Sequence, residues 1–187
     1  IETRNAGNGS YTYSGDLNGD GSTSNDLLYV PKNTSEMNFV AIAAAGSTRA
    51  FTVQEQADAF EKFIQQDRYL RNHRGQYVER GAVFLPLVTR MDVSITQDVM
   101  RTVGGKPNKL QFRMDILNFT NLINSDWGRY QTFVSSQPLI PSGVTAGGVP
   151  QFKFRNIGND MLSRSFQRTT GTADVFRIQV GARYTFN

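Results

Sequence analysis

The side chains best placed to do chemistry are the oxygen donors of Asp16-Leu-Asn-Gly-Asp-Gly-Ser-Thr-Ser-Asn-Asp26. Oxygen ligands at the first, third and fifth positions, followed by Gly21, reproduce the opening half of a calcium loop. The closing half departs from that pattern: Leu27 stands where a bidentate Glu belongs, and Asp26 comes one place early. Asp16, Asn18, Asp20 and Asp26 are therefore candidate Ca²⁺ ligands, and a metal-free turn rich in Asp and Asn is the alternative. His73 is the only histidine and lies among arginines, with no Ser or Asp at triad-like spacing. It reads as a surface or hydrogen-bonded histidine rather than a catalytic one. No nucleophile elbow, phosphate-binding glycine loop or histidine–metal cluster accompanies it, so an enzyme is not expected.

Composition narrows the classes further. The 187 residues contain no cysteine, which removes disulfides and thiolate metal sites. A net charge of +4 arises from Lys and Arg that are scattered along the chain, which fits a solvated basic surface better than nucleic-acid binding. Mean hydropathy is negative, and no apolar run approaches the length of a spanning helix. A β-barrel can still cross a bilayer with such a profile, because only alternate residues face lipid. The opening residues Ile1 to Gly9 have neither a starting Met nor a signal-peptide pattern, and read as a chain entered in mid-sequence.

The elements that must position these residues are mainly strands. From Val175 to Phe186 the chain alternates strictly: Phe176, Ile178, Val180, Ala182, Tyr184 and Phe186 fall on one face, and Arg177, Gln179, Gly181, Arg183 and Thr185 on the other. Met91, Val93, Ile95 and Val99, then Leu110, Phe112, Met114 and Ile116, repeat this pattern around a glycine-rich turn, predicting a hairpin over 90–119. The face opposite the apolar residues is solvent in a soluble sandwich and lumen in a barrel.

Asn118 to Asp126 supplies turn residues, and Trp127 to Val134 is expected to resume a strand. Long loops, from Ser135 to Pro150 and from Asn156 to Asp174, flank a local strand at Phe152 to Arg155. Upstream, Thr52 and Glu55 form a capping box that opens a helix. Val53, Ala57, Phe60, Phe63, Ile64 and Leu70 make its packing stripe, and Glu55, Asp58, Glu61, Lys62, Gln65 and Gln66 its polar side.

Taken together, Gly15-Asp-Leu-Asn-Gly-Asp-Gly21, Asn25-Asp-Leu-Leu-Tyr-Val-Pro31, Asp67-Arg-Tyr-Leu, Arg74-Gly75, Glu79-Arg80, Arg90-Met-Asp-Val-Ser-Ile-Thr-Gln-Asp98, Asn118-Phe-Thr-Asn-Leu-Ile-Asn and Trp127-Gly128 span nearly the whole chain. In this order they resemble the C-terminal part of the Oar-like TonB-dependent outer-membrane receptors. The resemblance implies an all-β fold. Residues 1–187 would be the C-terminal fragment of a transmembrane antiparallel barrel of roughly 22 strands, with one helix in a loop and the plug and earlier strands upstream. It also implies location in the bacterial outer membrane and uptake of a substrate energised by the TonB complex. Outer-membrane lipid would be a partner, as would a surface lipoprotein or other membrane protein.

The C-terminus would be periplasmic, as would the turn from Asn118 to Asp126. The turn around Gly104 and the loop from about Ser135 to Asp174 would be extracellular, so that Phe152, Phe154 and Arg155 would meet substrate. The apolar face of the last strand would point to lipid, and Arg177, Gln179 and Arg183 to the lumen. A structural or adhesive surface β-protein without transport, stabilised by calcium, is the second class the sequence allows.

Overall fold

The computed structural model describes residues 2–5, 7–17 and 19–186. It is rich in β-strands, with few helices, and its sheets are small and antiparallel. The chain divides into two compact units, each made of separated segments.

The first unit comprises Ile1–Ala6, Pro86–Gln131 and Arg168–Asn187. Its centre is a three-stranded sheet in which Val93–Val103 pairs with Lys106–Leu117, and this in turn pairs with the C-terminal strand Arg177–Phe186. Gly104 and Gly105, at φ of 60° and 79°, close the hairpin. Positive φ at both central residues gives the backbone twist that a two-residue hairpin needs, and glycine adopts it without a Cβ clash. Among the described residues the strands do not close into a barrel. A short strand Leu87–Arg90, paired with Glu2–Asn5, leads into the sheet.

The order of the sheet corrects two expectations. Trp127 to Val134 does not form a spanning strand; only Gln131–Phe133 is extended, after the one-turn helix Phe119–Ile123 and a tight turn. Aromatic residues there suggested a strand, but the backbone at Asn118 enters the left-handed region, with φ of 55°, and turns the chain away. The last strand consequently pairs with Lys106–Leu117 directly. Phe186 lies opposite Asn108, and Arg177 opposite Leu117. The Gly104 turn and the C-terminus therefore share one end of the sheet, while the Asn118 turn lies at the other. The two turns cannot be divided between the membrane faces in the way the sequence suggested.

The second unit comprises Gly7–Leu85 and Thr132–Gln167. Its core gathers Tyr11, Leu28, Val30, Phe39, Phe60, Phe63, Leu70, Leu139, Phe154 and Leu162. Helix α1, Val53–Gln66, starts at the expected capping box: the Thr52 hydroxyl accepts from the Glu55 N–H at 3.1 Å, and the Glu55 carboxylate accepts from the Thr52 N–H at 2.8 Å. The predicted helix does not run straight on to Leu70. It breaks at Asp67, whose carboxylate caps a second short helix, α2, Arg68–Asn72. Val53, placed on the packing stripe by its spacing, is exposed, whereas Gln56 is buried. The stretch read as long loop is folded: Leu139–Val144 and Pro150–Phe154 form an antiparallel hairpin on this core.

Candidate functional site

Two features stand out, one in each unit. In the first, strand register assigns every side chain of the three-stranded sheet to a face. Ile178 is opposite Ile116, Val180 opposite Met114, Ala182 opposite Phe112 and Tyr184 opposite Leu110. On the other side of the central strand, Val93, Ile95 and Val99 face Ile116, Met114 and Leu110. Residues directly opposite in an antiparallel pair share a face, so these make one apolar surface. It is exposed, with Val180 at 80% and Phe186 at 73% accessibility. Gln97 interrupts it opposite Phe112. Toward the Gly104 end it turns polar at Arg101 and Asn108, where the Tyr184 hydroxyl donates to Asn108 Oδ1 at 2.5 Å.

The reverse face is polar and internally bonded. Ser94 Oγ donates to Asp115 at 2.6 Å, Arg113 pairs with Asp115 at 2.8 Å, and Asp98 accepts from Gln111 at 2.9 Å and from Lys109 at 2.8 Å. Arg177, Gln179 and Arg183 belong to this face. The strands contain 11, 12 and 10 residues. At about 3.3 Å per residue and a tilt of about 45°, such strands rise roughly 23–28 Å, close to the apolar band of about 25 Å on an outer-membrane barrel.

A polar knot ties the other end of this sheet. Asn118 donates its N–H to Asp92 at 2.7 Å and its amide to Gly128 O at 3.1 Å. Asn121 donates to Trp127 O and accepts the Phe176 N–H, which links the turn after the central strand to the start of the last one. Asp174 accepts from the Tyr130 N–H, the Gly171 N–H and the Thr169 hydroxyl. Burial works against ionisation of its carboxyl, but these donors outweigh it and hold the pKa below the ordinary 3.8. A depressed carboxyl pKa stabilises the fold above the unfolded-state value, and that stability is lost as pH falls through the folded one. The stability gap between the native chain and Asp174→Asn is therefore expected to be constant at neutral pH and to shrink below about pH 4. Denaturation midpoints at several pH values read this directly, and a gap that persisted at low pH would exclude it.

In the second unit, a cavity of 330 Å³ lies between Tyr13, Tyr29, Glu36, Met37, Tyr77 and Phe152, among others. Its walls follow from local pairing. Tyr29–Val30 and Gln76–Tyr77 form a short ladder with Tyr29 opposite Tyr77, which sets their rings 5.3 Å apart at 56°. Pro31 ends the first of these strands, and a 3₁₀ turn, Thr34–Glu36, capped by Asn33, swings Glu36 back. Glu36 then accepts from the Tyr29 hydroxyl at 3.1 Å and the Lys32 N–H at 3.2 Å. Desolvation first, and then the Glu36 carboxylate, push the Tyr29 phenol above its ordinary pKa. Phe152 packs edge-on against Tyr13 at 5.5 Å. A second cavity shares Leu17 and Tyr77 and adds Asp20, Asn25, Asp26 and Arg80.

The sequence-predicted residues are dispersed. Phe152 lines the cavity, but Phe154 is 0% exposed, packed between Phe60 and Phe63, and is a core residue rather than a substrate contact. Its place is set by strand alternation, since residues two apart share a face and the hairpin buries that end against α1. Arg155 holds the loop, donating from Nε to Gln137 O at 2.6 Å.

In the acidic loop, Asp16 accepts the N–H groups of Gly19, Asp20 and Gly21, Asp20 accepts from Ser22 and Asn25, and Asp26 accepts from Leu17. Asn18 lies outside the described residues. Among the described residues no group of three or more His, Asp or Glu is placed to hold a metal ion. On the metal-free reading of the loop these contacts are what fold it, and calcium is expected to leave the melting temperature of the protein unchanged. A calcium-dependent rise would make Asp16, Asp20 and Asp26 ligands after all. His73 stacks on Tyr69 at 4.0 Å, and its Nδ1 lies 2.8 Å from Tyr69 O.

The residues that sequence reasoning missed are Tyr29, Glu36 and Tyr77, each unremarkable alone: the pairing of two short strands joins the tyrosines, and the 3₁₀ turn brings Glu36 to Tyr29. Comparison with protein-family models, curated proteins and solved structures returns no match.

Proposed function

We infer that this chain is the C-terminal end of a transmembrane β-barrel that serves as an outer-membrane receptor. The observation that carries this reading is the in-register sheet with one exposed apolar face and one hydrogen-bonded polar face, on strands long enough to cross a bilayer. Exposed apolar surface of this extent is costly in water and unremarkable in lipid. The outer edges of Val93–Val103 and of the last strand would pair with strands upstream of this chain, because open edges are not tolerated in lipid. Uptake of a substrate and coupling to TonB follow from the sequence resemblance alone. Substrate capture falls to the second unit, while the first carries the sheet, with the Asn118 turn at one end. With the C-terminus in the periplasm, as the resemblance implies, that end faces outward and the Gly104 turn faces the periplasm.

These 187 residues contain no cysteine, so single cysteines can be placed in them with the unsubstituted full-length protein as the labelling background. In isolated outer membranes containing the full-length protein, Val180→Cys is expected to be shielded from a water-soluble maleimide and Arg183→Cys to react. In intact cells, Ser125→Cys is expected to label and Gly104→Cys to stay unlabelled. Equal reactivity at 180 and 183, or no heat-dependent shift of the full-length protein in a detergent gel, would end the membrane reading.

A further inference from the structure

We propose that the cleft of the second unit binds an organic cation, an ammonium or guanidinium group on an apolar stem. The inference rests on the receptor reading only for its biological use; the chemistry stands on the cleft itself. Tyr13, Tyr29, Tyr77 and Phe152 surround the cavity, and Tyr77 is 64% exposed, so part of its ring is open to a ligand. Aromatic faces carry negative quadrupole potential and attract cations, an effect that strengthens as the site is desolvated.

Glu36 supplies a full charge at the same place. Among the described residues it takes part in no ion pair, and its two donors, a phenol and a backbone N–H, are neutral. The adjoining cavity adds Asp20 and Asp26 against Arg80. The two cavities share Leu17 and Tyr77, so Glu36 stands beside the acidic loop in a chain whose net charge is +4. A local field opposite in sign to the whole protein concentrates cationic ligands. A neutral sugar would also stack on tyrosine, but it would bring no positive charge to Glu36, whose donors are both neutral.

The probes are the capped peptide acetyl-Gly-Lys-Gly-amide, its Nε-acetylated form, and spermidine, titrated calorimetrically into the purified full-length protein. The lysine peptide is expected to bind and the acetylated form not to. Spermidine binding more tightly than the peptide would point to a free polyamine, and the reverse order to a peptide side chain. Tyr77→Leu and Glu36→Gln are each expected to weaken binding roughly tenfold, and Tyr77→Phe, which keeps the ring, to change it little. Because both side chains lie at the margin of the core, thermal melts serve as the control for folding. Equal binding of the acetylated peptide, no binding of either cation at millimolar concentration, or unchanged affinity in both weakening variants would overturn the proposal. The cysteine-labelling outcome bears on the receptor reading alone, so the two can fail separately.

Discussion

Asp67→Ala is expected to destabilise the second unit by about 3–5 kcal/mol, a large part of what holds a domain of this size together. Asp67 is 4% exposed and stands at the break between α1 and α2. One carboxylate oxygen accepts the Tyr69 and Leu70 N–H groups at 2.8 and 3.1 Å. The other accepts the Tyr11 hydroxyl at 2.7 Å and the Ser165 hydroxyl. Alanine leaves four donors in the interior without their acceptor, and an abandoned buried donor costs far more than an average hydrogen bond contributes. Burial first, and then this carboxylate, push the Tyr11 phenol above its ordinary range, in keeping with its role as donor to Asp67. Asp67→Asn keeps a carbonyl oxygen to cap α2 and is expected to lose about half as much. Urea unfolding of the two variants checks both figures, and a loss below about 1 kcal/mol for alanine would show that water replaces the carboxylate.

Gln56→Leu is expected to cost about 2–4 kcal/mol, although it preserves side-chain size on a helix face that is otherwise apolar. Gln56 is 0% exposed, and its amide acts in place of a missing strand neighbour. Nε2 donates to Val40 O at 2.8 Å and to Thr52 O at 3.1 Å, and Oε1 accepts the Phe154 N–H at 3.0 Å. Leucine leaves the buried Phe154 N–H and the part-buried Val40 O without this partner, while Thr52 O keeps the Gln56 N–H. Amide exchange at Phe154 is the local readout, expected to accelerate more than exchange at the centre of α1. Unchanged protection at Phe154 would mean another acceptor takes over.

Both residues show where sequence pattern stops being informative. The capping box, the hairpin over 93–117 and the two faces of the last strand were legible because each depends on residues near in sequence or on strict alternation. Alternation specifies a face but not a neighbour. Nothing in it reveals that the last strand lies beside Lys106–Leu117, with residues 118–176 looping out between them. The helical spacing assigned neither Gln56 nor Asp67 to a face, since a polar side chain finds its place in the interior only through a tertiary partner that the spacing does not show. Phe154 looked like a loop aromatic for the converse reason. The cleft was the least legible feature: Tyr29 and Tyr77 sit in strands of two residues, too short to produce a period.

The polar knot at Asn118, Asn121 and Asp174 also bears on the order in which the sheet forms. Bringing Arg177 to Leu117 across the 59 residues 118–176 is an intramolecular ring closure, with an entropic penalty of about 3–4 kcal/mol before any strand contact returns it. Once Asn121 holds Phe176 and Asp174 holds Tyr130, most of that ring is already shut. The final pairing then becomes a zipper that starts at Arg177 and runs to Phe186. On this entropic argument the excursion between the last two strands serves as a template for their pairing, and the strand at the end of the chain is expected to join the sheet last.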